Sequence, residues 1–165
     1  MARRAARALL LAGLLSGCAA RGPEPGLPAA ASTPIEAACV REVRELHAFF
    51  EAWFNGELPA DEAAFARCAD ALAPEFVIVP PGGGALDRSA LLAAVRAGYG
   101  SGPLRIQVTD PLVHALTDDL FAVCYEEWQE QGGLRRGRAS RAVLRPRPGA
   151  PNGVEWLRVD EVWLD

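Results

Sequence analysis

The spacing of apolar residues changes once along this chain, and that change constrains the fold more than any single motif. Before residue 103 the apolar positions recur every three to four residues, whereas from Pro103 onward they alternate with polar ones. The first period belongs to amphipathic helices and the second to half-buried strands. Helices followed by a run of strands predict an α+β domain, with the helices grouped on one face of a curved antiparallel sheet. The chain has 165 residues, of which 50% are hydrophobic and 23% charged. That is enough for one domain with its own core.

Start and stop signals divide the helical half. Thr33-Pro34-Ile35-Glu36 combines a Thr cap, Pro in the first turn and a Glu that completes a capping box. The helix that follows keeps Cys39, Val43, Leu46, Phe50 and Trp53 on one stripe, flanked by Val40 and Phe54, and Asn55-Gly56 stops it. A shorter helix over residues 61–72 would bury Phe65, Cys68 and Leu72, with Pro74 ending it. Residues 75–79 read as a strand, and Asp87 caps a third helix over 88–97. After Gly102, strands are expected over 104–108 and 112–116, with Asp110-Pro111 bending the chain between them, then over 120–129, 134–147 and 154–164.

The first 32 residues read as an address. Residues 1–7 carry three Arg and no acid, and 8–15 form a short apolar run, well below the ~18 residues of a spanning helix. Leu15-Ser16-Gly17-Cys18 resembles the bacterial lipobox, which implies a signal peptide over 1–17 and lipidation of Cys18; an ordinary secretory cut near Ala19-Ala20 is the alternative. Ala19 after the Cys implies an outer-membrane lipoprotein facing the periplasm. Residues 18–32 would form the lipidated N-terminus and a flexible Pro/Gly/Ala tether, with the domain over 33–165. The expected partner is thus the lipid bilayer.

The 17 basic residues are all Arg. Without Lys there is no P-loop Lys, no Schiff base and no Ser–Lys dyad. The formal net charge of −4 becomes three units more negative once Arg3, Arg4 and Arg7 are cut away, which argues against nucleic-acid binding. Two distant His and no C-x-x-C give no metal site, and no G-x-S-x-G elbow is present. No cofactor is expected. Cys39, Cys68 and Cys124 remain after Cys18. A Cys39–Cys68 bridge would have to overcome a mismatch of roughly 13 Å along two hairpin helices, so three buried thiols are expected.

The run Leu46-His47-Ala48-Phe49-Phe50-Glu51-Ala52-Trp53-Phe54-Asn55-Gly56 resembles the first helix of nuclear transport factor 2-like domains. Asp87-Arg88-Ser89-Ala90-Leu91-Leu92, Tyr125-Glu126-Glu127-Trp128-Gln129 and residues 156–164 extend the resemblance over about 130 residues, nearest the SnoaL-like and ketosteroid-isomerase-like groups. It implies a cystatin-like cone: a strongly curved antiparallel sheet wrapped around the long first helix, two shorter helices, and a pocket between. It also implies a homodimer. Because this superfold hosts enzymes, binding modules and adaptors, the resemblance speaks to fold more than to chemistry.

Strand parity nominates the side chains of that pocket. On the last strand Leu157, Val159, Glu161 and Trp163 form the more apolar face, and Trp156, Arg158, Asp160 and Val162 the other. Glu161 then either enters the pocket with a raised pKa or is solvated or salt-bridged where the sheet twists. Tyr125 and Glu127 are expected inward with Val123, and Arg138 and Ser140 with Ala142 and Leu144, so Arg138 could pair with Glu127, Glu161 or an anionic ligand. His47, at the edge of the first helix's stripe, reads as a hydrogen-bonded boundary residue within reach of the cavity. Two functions follow. One is a non-catalytic lipoprotein domain holding a small hydrophobic or anionic ligand, or a protein partner, with His47, Trp53, Arg138, Ser140 and Trp163 around it and further aromatic wall from Trp128 and Trp156. The other, implied by the resemblance, is a lyase or isomerase with Glu127 or Glu161 as base and Tyr125 as hydrogen-bond donor.

Overall fold

A computed structural model describes residues 32–164; the expected signal peptide, Cys18 and the expected tether before Ser32 lie outside them. Helix α1 (Pro34–Phe54) begins as the residue types require. The Thr33 side chain accepts from the Glu36 amide, and the Glu36 carboxylate accepts from the Thr33 amide. Helices α2 (Glu62–Ala69) and α3 (Arg88–Ala97) are each capped by an Asp, Asp61 and Asp87, whose carboxylate accepts from the amide three residues on. The strands are β1 (Leu72–Val79), β2 (Leu86–Asp87), β3 (Leu104–Ala115), β4 (Phe121–Gln131), β5 (Leu134–Pro146) and β6 (Val154–Trp163).

They form one sheet in the order β2-β1-β6-β5-β4-β3. The expectation of an antiparallel sheet holds for every pair except β1 with β6, which run parallel. The chain enters the sheet at β1, goes through α3, and returns so that its last strand lies beside its first long one. Helix α2 is also shorter than expected. Ala71 is a buried turn residue, and Leu72 and Ala73 are buried and belong to the sheet, with Leu72 opposite Trp156.

Three irregularities interrupt the strands, the first in β1, whose register against β6 shifts between Leu72 and Val77. In β3 the register shifts between Thr109 and Leu112, where Asp110 takes a φ of 22°. In β6 the shift falls beside Leu157, because Val143 pairs with Arg158 but Leu144 with Trp156. One extra residue inverts the alternation on one side of the bulge. Trp156 is therefore 2% exposed and in the core, not on the outer face expected of it, while Val159 and Glu161 still point inward.

The core lies between α1 and the concave side of the sheet, with Val43, Leu46, Phe49 and Trp53 against Phe65, Phe76, Leu144 and Trp156. Glu42 is buried with them at 0% exposure. Arg67 of α2 donates to both its oxygens at 3.1 and 2.9 Å, Asn152 donates at 2.9 Å, and the Trp156 indole at 3.1 Å. Burial raises the pKa of Glu42 and these donors oppose the rise, so the group is a polar rivet joining α1, α2, the turn at Pro151–Gly153 and β6. Cys39 and Cys68 are free and buried, and their burial pushes the thiols up to about 11 and about 12. Cys124, expected buried with them, is half-buried on β4.

Candidate functional site

Between α1, α3 and the concave sheet lies a cavity of about 410 Å³. One side is apolar, formed among others by Phe50, Phe54, Phe76, Ile78, Leu91 and Trp156. The other side is polar and is built by strand register. Tyr125 of β4, Ser140 of β5 and Glu161 of β6 face one another on one rung, and Glu127, Arg138 and Trp163 on the next. Alternation puts all six on the same face, because each strand's pair is two residues apart.

Glu127 is 2% exposed and its carboxylate is fully used. One oxygen accepts from Gln129 Nε2 at 2.7 Å and Arg138 Nη2 at 2.6 Å, the other from Arg138 Nε at 3.0 Å and His47 Nε2 at 3.0 Å. Burial alone would raise its pKa, but the His47 hydrogen bond and charge and the Arg138 guanidinium outweigh it and lower it to about 2. An ionised carboxylate with every lone pair engaged is a poor proton acceptor. The other ring nitrogen of His47, Nδ1, lies 2.6 Å from the Val43 carbonyl oxygen. Both ring nitrogens thus face acceptors, a pattern that the doubly protonated imidazolium satisfies on both sides.

Glu161 is 7% exposed and differently placed. Its Oε1 lies 3.3 Å from Arg138 Nε, while its Oε2 is buried with no hydrogen-bond partner among the described residues. Burial raises its pKa, opposed by Arg138 and reinforced by the Glu127 charge. Ser140 Oγ, on the same rung, is likewise buried and completes no hydrogen bond, although it lies near enough to Glu161 and Tyr125 to favour their ionised forms. Burial and the two carboxylates hold the Tyr125 phenol well above its ordinary range, so it stays a donor.

The structure brings His47, Tyr125, Glu127, Arg138, Ser140 and Glu161 together. It separates Trp53 from them: Trp53 is core, 3% exposed, stacked on Phe49 and donating to the Val95 carbonyl at 2.8 Å. Trp163 shares a rung with Glu127 and Arg138 but lies outside the cavity, 49% exposed, with the Arg136 guanidinium 5.7 Å from its ring centroid. Trp128 lies on the opposite sheet face, where its indole donates to Glu126 at 3.0 Å; of the four Trp, Trp156 is the one that lines the cavity. Sequence reasoning missed Gln129, although it shares parity with Tyr125 and Glu127, and the apolar wall residues Phe76 and Ile78. Among the described residues no His, Cys, Asp and Glu group could hold a metal ion, and no helix is long and apolar enough to cross a membrane.

An NTF-2 like protein of unknown function from Pseudomonas aeruginosa superposes with a TM-score of 0.69 at 26% identity, over 78% of this chain and 99% of that one. An NTF2-like protein from Cytophaga hutchinsonii gives 0.61 at 12% identity, over 78% and 97%. A domain of unknown function with a cystatin-like fold from Nostoc punctiforme gives 0.60 at 14%, over 82% and 80%. The fold is therefore NTF2-like, as the helix and strand motifs imply. Comparison with curated proteins gives no match. The family model described as "Sucrose-6-phosphate phosphohydrolase C-terminal" matches residues 39–165, and the chain belongs to that family.

Proposed function

We propose that this domain is a non-catalytic binding module that holds a small, partly apolar ligand in its cavity. The observation that carries the reading is the state of the two acids. Both contact Arg138, and Glu127 is saturated, so the obvious base is locked in an ion-pair network beside an open apolar wall. Such a network orients and rigidifies; it does not release a proton acceptor. A thermal-shift screen of small apolar compounds against the tether-free domain, followed by a structure of the best hit, tests the reading. A screen of broad chemistry that raises Tm for none of them overturns it.

A second reading rests on Glu161. An unpartnered, buried carboxylate oxygen near a Tyr donor is what a lyase or isomerase base needs. Turnover of a bound hit that disappears in Glu161→Gln while binding persists would move the protein into that class.

We also propose that the domain is carried on the cell envelope by acylated Cys18, with residues 18–32 as a tether and the domain in the periplasm. The support is the basic stretch, the apolar run and the LSGC string. Fatty-acid labelling that is lost in Cys18→Ser is the expected result. A lipid thioether uses up the sulfur, so a Cys18 recovered in a disulfide overturns the anchor.

A further inference from the structure

The polar end of the cavity narrows the kind of ligand, an inference that rests on the binding reading above. Four ionisable side chains meet there from four elements: His47 of α1, Glu127 of β4, Arg138 of β5 and Glu161 of β6, beside the neutral Tyr125. Counted as the hydrogen bonds arrange them, with an imidazolium, a guanidinium and two carboxylates, their formal charges cancel. A neutral buried cluster gives a charged ligand no counter-ion, and burying an unpaired charge is expensive. The charge of Arg138 in particular is already countered, because Glu127 takes its Nε and Nη2 and Glu161 lies 3.3 Å from Nε, leaving an anion only the Nη1 side of a guanidinium held between two carboxylates.

What Glu161 Oε2 lacks is a well-aligned donor: it and Ser140 Oγ are both buried, on residues 7% and 3% exposed, and although the Ser140 hydroxyl is near enough to act on Glu161 and Tyr125, neither atom completes a hydrogen bond. A buried oxygen left in this state costs free energy that a correctly placed ligand group would recover. Ser140 and Glu161 are directly opposed across β5 and β6, and Tyr125 opposes Ser140 across β4. A hydroxyl fits this rung from both sides, because it can donate to Glu161 and accept from Tyr125 or Ser140 at once. We propose that the cavity selects a neutral alcohol: an apolar body against Phe50, Phe76 and Ile78, with its hydroxyl donating to Glu161 Oε2.

A matched set of two-ring compounds tests this by calorimetry on the full-length protein: decahydro-2-naphthol, the 2-ketone, the 2-amine and the 2-carboxylate. The alcohol should bind roughly tenfold or more tightly than the ketone, since its hydrogen bond is to a charged group. Glu161→Met should abolish that preference and leave ketone affinity within about twofold, whereas Glu161→Gln, which keeps an acceptor oxygen, should retain part of it. If Glu161→Met does not fold, the ranking on the wild-type protein decides alone. A ketone that binds as well as the alcohol shows that Glu161 donates, and overturns the proposal. The amine or the carboxylate binding most tightly overturns the neutral-cluster argument. In each of those cases the binding module stands and only its ligand class fails; no binding by any of the four overturns both.

Discussion

Glu127 and Glu161 sit on neighbouring rungs, and pH acts on them in opposite senses. The pKa of Glu127 falls to about 2 from an ordinary 4.5, so its contribution to stability is fully present above pH 4.5 and is lost as pH drops toward 2. A shift of that size corresponds to about 3 kcal/mol. Glu127→Gln should therefore cost a sizeable part of that at neutral pH and nearly nothing near pH 2, as read from urea unfolding across the range. The pKa of Glu161 is raised, so its contribution is present below the ordinary carboxylate range and is lost as pH rises through the folded value. Glu161→Gln should leave the protein as stable or more stable at neutral pH, with the difference vanishing in acid; a loss at neutral pH would show that its Arg138 contact outweighs its burial. Inward placement of both acids was legible from strand alternation alone. The partners were not, because which of two inward acids an Arg clamps depends on inter-strand register. Glu42 was hidden for a different reason. On α1 it looks like one more solvated acid, and only the approach of Arg67, Asn152 and Trp156 from elsewhere makes its burial tolerable.

The elements that carry their own end signals are those where expectation and structure agree most closely. Helix α1 starts at the Thr33 box and α3 spans Arg88–Ala97 behind Asp87, because caps are local chemistry. Thr33→Ala should lower stability by about 1 kcal/mol, visible as a reduced urea midpoint at an unchanged m-value. An unchanged midpoint would mean that tertiary packing of α1 makes the cap redundant. Where a boundary depends on distant pairing, local signals fail. The start of β1 at Leu72 follows from its place opposite Trp156, not from Pro74. The bulge beside Leu157 has no local mark at all; Gly and Pro are absent there, and the extra residue is set by how β6 must curve past Leu144. That single residue is why Trp156 enters the core and builds the cavity wall, against the reading from simple alternation.

For the whole molecule, the change from one apolar period to the other was enough to give an α+β domain, and the motif strings to give its NTF2-like form. Parity could not supply the parallel pairing of β1 with β6, since it says which face a strand shows but not which neighbour it takes. That pairing sets a clock on the making of the protein. The strand joining the helical half to the rest of the sheet is the last of the domain's six, and it brings Val154, Trp156 and Val159 into the core. A chain ended after Gly153 should show no cooperative melt by circular dichroism, and a sharp two-state transition in such a chain would refute the idea. With so many contacts linking distant parts of the sequence, collapse before the terminal strand emerges gains little. The nascent domain thus stays uncollapsed until β6 has left the ribosome, and over that interval the unpaired edge of β5 is what a chaperone would meet.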